Sequence, residues 1–167
     1  LIVGCVTQTG EQGSDLARSA VLAAGWPVDV PGVTLNRFCS SGQQAVNFAA
    51  MAVQSGAQDL VLAGGVENMT RVPMGTDVGT FHPDLQERFH LVPQGISADI
   101  IATEYGFSRD DADALAVESQ KRAAKAWEDK RFARSVITVR DQNGLPILDH
   151  DEYMRPGTDM QTLGALK

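Results

Sequence analysis

Residues 45–53 contain Ala45, Val46, Phe48, Ala49, Ala50, Met51, Ala52 and Val53, and as a helix they leave hardly any polar stripe. A helix apolar nearly all round is buried on most of its surface. Its small side chains would let two layers approach closely, so it belongs between two sheets. The strand signals around it supply only part of that cover. Residues 1–6 are a strand-like apolar run. Residues 15–24 place Leu16, Ala20, Val21 and Ala24 at helical spacing, with Gly13-Ser14 as the cap and Gly25 as the stop, and Pro27 and Pro31 prevent continuation. Residues 33–38 read as a second strand, 40–55 as the apolar helix closed by Gly56, and 60–63 as a third strand. The order β-α-β-α-β predicts an α/β fold with a mostly parallel, buried sheet and crossover helices.

From Gly64 to Pro93 the texture changes to glycines, prolines and polar residues, over a length that exceeds ordinary connections and marks either function or a domain boundary. Two more helices are expected, at 96–105, stopped by Gly106, and from Ser108 to about residue 130. Ser108-Arg109-Asp110-Asp111 has the Ser-x-x-acid form of a capping box. Residues 136–139 read as a strand and Asp141-Gln142-Asn143-Gly144 as a turn. The chain shows no internal repeat.

Composition narrows the function classes. With 43% hydrophobic and 21% charged residues, a core can be buried and wholesale disorder is not expected. The 21 acidic against 14 basic residues leave a net charge of -7, which disfavours nucleic-acid binding. No apolar run approaches the roughly 18 residues of a membrane span, and no signal peptide is visible. Both ends look cut, so the chain reads as an internal piece of a longer protein. The basic residues Lys121, Arg122, Lys125, Lys130, Arg131, Arg134 and Arg140 read either as a solvated helix face or as an attractor for a phosphate-bearing substrate. Two cysteines, Cys5 and Cys39, lack metal-ligand spacing and are too few for a disulfide framework. A reducing, cytoplasmic location is the default, and no metal is expected.

Cys39 stands where the second strand ends and the apolar helix begins. A thiol at a helix N-terminus feels the partial positive charge of unpaired N–H groups, which favours thiolate. A sharp turn out of a parallel strand exposes such a residue at the carboxyl edge of the sheet. These arguments make Cys39 a candidate nucleophile, with a buried structural cysteine as the alternative. Cys5, inside an apolar strand, reads as inert core.

The segment Asn36-Arg37-Phe38-Cys39-Ser40-Ser41-Gly42-Gln43-Gln44-Ala45 resembles the nucleophile segment of the thiolases, the acyl-CoA acyltransferases. Ala63-Gly64-Gly65-Val66-Glu67-Asn68-Met69-Thr70 is similar to their Gly-Gly-x-Glu-x-Met motif. Gln94-Gly95-Ile96-Ser97-Ala98-Asp99-Ile100-Ile101-Ala102 is similar to their Met-Gly-Ile-Thr-Ala-Glu-Asn-Val-Ala helix start. Ser119-Gln120-Lys121-Arg122-Ala123, Arg155-Pro156-Gly157-Thr158 and Leu163-Gly164-Ala165-Leu166-Lys167 fit as well, in order along essentially the whole chain.

The resemblance implies a thiolase-like layered α/β fold, incomplete here. Residues 1–70 would be part of the N-terminal core domain and residues 71–167 a truncated loop domain that covers coenzyme A. It implies acylation of Cys39 by an acyl-CoA, with the acyl group passed on to coenzyme A (thiolysis) or to an acetyl-CoA carbanion (Claisen condensation), as in fatty acid β-oxidation. The backbone N–H of Cys39 would form part of an oxyanion hole. Lys167 matches a basic residue placed near the coenzyme A nucleotide. Gln94 stands, in Pro93-Gln94, where many members have a His-Met pair near the pantetheine. Coenzyme A is a substrate, no further cofactor is implied, and the full-length protein would be a homodimer or homotetramer. The family's Gly-His-Pro, Cys-x-Gly and Asn-Glu-Ala-Phe motifs do not occur here and would lie beyond Lys167. His82, His90 and His150 match none of them and are assigned no catalytic role. The competing readings are a condensing enzyme acting on acyl carrier protein and a thiolase-like acyl-CoA or lipid binder without turnover.

Overall fold

The computed structural model describes residues 1–166 and divides into two compact units, Leu1–Gln86 and Glu87–Lys167. In the first, β1 (Ile2–Gly4), β2 (Val33–Leu35) and β3 (Ala63–Gly65) form a parallel sheet in the order β2-β1-β3. Ile2 lies opposite Val33 and Ala63, and Gly4 opposite Leu35 and Gly65. Parallel strands need crossover connections rather than tight turns, and α1 (Leu16–Ala23) and α2 (Ser41–Gln54) supply them. The expected alternation of strand and helix is the observed one.

Local chemistry sets the element ends. The cap of α1 is Asp15, not Gly13-Ser14: its side chain accepts from the Arg18 N–H, and both Ser14 and Asp15 take left-handed backbone to reach that geometry. Thr34 on β2 joins strand to helix, donating to Asp15 Oδ1 at 2.7 Å and accepting from the Ala17 N–H at 2.9 Å. The Arg18 guanidinium donates to the carbonyls of Val30 and Val28 and so fastens the proline-bearing loop that follows. Ala17 and Val21 of α1, Ala45 and Ala49 of α2, and Cys5 make the buried core of this unit, with Val72.

The strands are shorter than the apolar runs that announce them, and β3 is displaced. The run at 60–63 suggests pairing there, yet pairing begins at Ala63, and Leu60 is 84% exposed. The reason is packing rather than propensity. A Cβ on Gly4 would lie 2.3 Å from the Ser41 carbonyl carbon, and one on Gly65 would lie 3.2 Å from Gly42 Cα. The first turn of α2 rests on the backbone of β1 and β3, and only glycines at the paired positions permit that approach. Only one face of α2, at Ser41, Ala45 and Ala49, is buried, while Phe48 and Met51 are 47% and 59% exposed. The described residues thus cover one side of a helix whose composition calls for two.

The expected loop after β3 holds a short helix, α3 (Pro83–Arg88), that hydrophobic patterning does not signal. In the second unit α4 (Gln94–Tyr105) ends on the left-handed Gly106, and α5 (Arg109–Glu128) begins with a complete capping box. Ser108 Oγ accepts from the Asp111 N–H at 3.1 Å and Asp111 accepts from the Ser108 N–H at 2.8 Å, so aspartate serves where glutamate is usual. Arg109 Nε donates to both oxygens of Asp113 at 2.9 Å, and its Nη2 donates to the Leu163 carbonyl, tying α5 to α6 (Met160–Gly164). The expected strand at 136–139 is reduced to β4 (Val139–Arg140), because the Ser135 and Val136 N–H groups are spent on the Phe132 carbonyl. It pairs antiparallel with β5 (Pro146–Leu148) across the anticipated turn, where Asp141 Oδ1 accepts from the Asn143 and Leu145 N–H groups at 2.8 Å. Among the described residues no helix is long and apolar enough to cross a membrane.

Candidate active site

Because β1, β2 and β3 run parallel, their carboxyl ends emerge at one edge, where α/β sheets place their ligands. From β1 come Cys5, Val6 and Thr7; from β2 come Asn36 to Cys39; from β3 come Val66 and Glu67.

The turn out of β2 is strained and heavily braced. Phe38, immediately before Cys39, has φ of 48°, a left-handed conformation that costs a bulky residue about 1–3 kcal/mol. Three hydrogen bonds enforce it. The Phe38 N–H donates to Asn36 Oδ1 at 2.8 Å, Ser41 Oγ donates to the Phe38 carbonyl at 2.6 Å, and the Arg37 N–H donates to Ser41 Oγ at 2.8 Å. Ser41 is buried at the start of α2 and Arg37 is held by Gln44 one turn along, so helix and turn fix each other.

Cys39 itself is a free, exposed thiol two residues before the first helical residue. That exposure removes the buried structural alternative. The helix N-terminus beside it is open, since Ser40 makes no side-chain cap and the N–H groups of Cys39, Gly42 and Gln43 reach no protein acceptor among the described residues. Free N–H groups at a helix start carry partial positive charge. They can stabilise a thiolate or an oxyanion formed on a bound carbonyl.

Cys5 behaves oppositely. It is buried at 1% exposure, and burial, then the neighbouring Glu67 carboxylate, pushes its thiol pKa up. It is a buried core thiol, as its place in an apolar strand suggests.

Glu67 is the polar centre of this edge. Its Oε2 accepts from the Val6 N–H at 2.8 Å, and its Oε1 from Gln12 Nε2 at 2.7 Å and the Thr7 N–H at 3.4 Å. Burial alone would raise its pKa, but these donors outweigh burial and hold the carboxyl below the usual glutamate range. Gln12, itself buried, is satisfied at both ends: it also donates to the Thr7 carbonyl at 2.9 Å and accepts from the Asn68 N–H at 2.7 Å. Sequence reasoning passes over Gln12, which lies in a short 3-10 turn (Gly10–Gln12) with no motif around it. Glu67 is visible only as a motif letter.

Gln94 is the exposed first residue of α4, and Lys167 lies outside the described residues. His82 Nδ1 accepts from the Asp84 N–H at the start of α3, and His150 sits against Asp149 on the surface. The basic residues of α5 are a solvated face with local partners, Arg122 on Glu118 and Lys125 on Asp129.

Comparison with known proteins bears on the chain as a whole. The thiolase N-terminal domain family matches residues 1–167. A β-ketoadipyl-CoA thiolase of Pseudomonas aeruginosa is 38% identical over 187 residues, which take in 100% of this chain and 47% of that protein. A 3-ketoacyl-CoA thiolase of Shewanella sp. (strain MR-7) is 41% identical over 172 residues, 100% of this chain and 44% of that protein. A 3-ketoacyl-CoA thiolase of Pseudoalteromonas translucida is 41% identical over 169 residues, 98% and 43% respectively. The chain spans somewhat under half the length of these relatives. The family match over residues 1–167, with relatives 38–41% identical along essentially the whole chain, makes this chain a member of the thiolase family.

Proposed function

We propose that this chain supplies the acylated cysteine of an acyl-CoA acyltransferase that acts in thiolytic cleavage of 3-ketoacyl-CoA or, in reverse, Claisen condensation with acetyl-CoA. The observation that carries the reading is the exposed Cys39 thiol at an uncapped helix N-terminus, beyond the carboxyl end of a parallel strand. In the condensing direction the Cys39 thiolate attacks the carbonyl carbon of an acyl thioester, forming a new S–C bond. Negative charge moves to the carbonyl oxygen, where the unpaired N–H of Cys39 is a suitable donor. Collapse of that intermediate breaks the bond to the departing sulfur, which leaves as a thiolate and takes up a proton. The acyl group remains on Cys39 as a thioester, and one difficult transfer becomes two easier ones. The groups that move protons to and from Cys39 and complete the second half-reaction are proposed to lie outside residues 1–167. Gln94 and Lys167 are proposed as substrate contacts, and a homo-oligomer as the working assembly.

The test is mass spectrometry of the full-length protein after incubation with an acyl-CoA. A thioester on Cys39, lost in Cys39→Ala with coenzyme A binding retained, is the expected result. Acylation of Cys5 instead, or full turnover by Cys39→Ala, overturns the reading. For Lys167, the expected result of Lys167→Ala is a raised KM for coenzyme A substrates at unchanged kcat, by the equivalent of about 1 kcal/mol or less, the size of a single screened charge contact.

A further inference from the structure

The three strand ends at the candidate edge are not independent, because a continuous set of hydrogen bonds runs between them through one residue of β1's exit. Glu67 Oε2, after β3, accepts from the Val6 N–H at 2.8 Å. The Val6 carbonyl accepts from Asn36 Nδ2, after β2, at 3.0 Å. Asn36 Oδ1 accepts from the Phe38 N–H at 2.8 Å, and Phe38 is the left-handed residue that precedes Cys39. Asn36 therefore uses both ends of its amide, one on Val6 and one on Phe38, although it is exposed and contributes nothing to the core. A solvent-facing side chain gains little stability from two such bonds, since water would satisfy the same groups. What the bonds do is choose a conformation. The left-handed geometry at Phe38 is unfavourable for a phenylalanine and persists only if its surroundings over-determine it.

We propose that Asn36 and Glu67 are positioning residues for Cys39, acting through the Val6 backbone to hold the Phe38–Cys39 turn in the conformation that presents the thiol. The proposal rests on the reading of Cys39 as the acylated residue and extends it to two groups that do not touch the reacting atoms. Glu67 works as an anchor because both of its oxygens are occupied by donors, and its partner Gln12 cannot flip without losing the Thr7 carbonyl and the Asn68 N–H. Val6 is thereby fixed on its N–H side, and Asn36 takes its position from the Val6 carbonyl. The chain of cause runs from a partly buried carboxylate to the angle of a surface turn.

The experiment uses the full-length protein with Asn36→Ala and, as an isosteric second variant, Glu67→Gln, which turns one of the two acceptor oxygens into a donor facing N–H groups. Two readouts are taken: kcat and KM for an acyl-CoA, normalised to the fraction of Cys39 that can be acylated, and the second-order rate of Cys39 alkylation by iodoacetamide. Normalisation to acylatable Cys39 removes any loss of folded protein, which a merely structural role would produce. The expected result is a fall in kcat per competent site of about tenfold for Asn36→Ala, the effect of one or two hydrogen bonds, with KM nearly unchanged and a parallel slowing of alkylation. Asn36→Ala is at the surface and should fold. If it alters neither rate while wild-type Cys39 is acylated, the positioning proposal is overturned and the Cys39 reading stands. If wild-type Cys39 is not acylated at all, the Cys39 reading fails, and the alkylation rates still decide whether Asn36 and Glu67 set the exposure of the thiol. A fall in KM and kcat together that Glu67→Gln does not share also overturns the proposal, since the two residues are argued to act in one chain.

Discussion

The Cβ that Gly4 lacks would sit 2.3 Å from the carbonyl carbon of Ser41, so the end of β1 and the first turn of α2 meet backbone to backbone. A side chain there cannot be absorbed by rotamer change, because the atoms it meets are main chain. Gly4→Ala is expected to destabilise by about 3 kcal/mol, the upper part of the range for overpacking. Gly64→Ala, where an added Cβ meets nothing within 4 Å, should be neutral or stabilise by up to about 1 kcal/mol through the unfolded chain. Unfolding midpoints measured side by side in one background test the contrast, and equal effects would show that the helix does not rest on Gly4.

Glu67 links stability to pH. Its folded-state pKa lies below the ordinary glutamate range, because the Val6, Gln12 and Thr7 donors outweigh the opposing effect of burial. A depressed carboxyl pKa contributes stability that is fully present above the unfolded value and is lost as pH falls through the folded one. At neutral pH Glu67→Gln should therefore cost on the order of 1 kcal/mol. Its unfolding midpoint should converge with wild type as acid takes the pH down through and below the ordinary glutamate range. A gap that stays constant from neutral to strongly acid pH would mean that the carboxylate charge is not what Val6 and Gln12 bind.

The two thiols should differ sharply toward a small alkylating reagent. Cys39 is exposed, whereas Cys5 is buried with its pKa raised by burial and then by Glu67. Under native conditions peptide mapping is expected to find label on Cys39 alone, with Cys5 modified only after denaturation. Native labelling of Cys5 at a comparable rate would contradict its burial.

α2 leaves Val46, Phe48, Met51 and Val53 uncovered among the described residues. The 167-residue chain expressed by itself should bind a hydrophobic dye, associate with rising concentration and show no thiolase turnover, since apolar patches of this kind drive association. A monomer with a sharp, cooperative melt and no dye binding would show that the outer face of α2 is stable in water.

The order of strands and helices is legible in the residues because it depends on local period and punctuation. Alternating apolar runs, Gly25, Gly56 and Gly106 as stops, and the Ser108–Asp111 box act within a turn or two of the chain, so they read the same before and after folding. Cys39 is legible as a candidate for a similar reason: its place between a strand signal and a helix signal is a local fact, and the motif around it adds to that. Tertiary structure decided where pairing begins and what holds the site. β3 starts at Ala63 rather than Leu60 because the glycines must lie under α2, a constraint set by residues more than twenty positions away. Gln12, Val6, Asn36 and Glu67 are spread over more than fifty residues, and nothing local marks them as partners. Hydrogen bonds that close such separations exist only once the sheet has brought its carboxyl ends to one edge, which is why the apolar pattern names the elements and only the fold names the groups that aim the thiol.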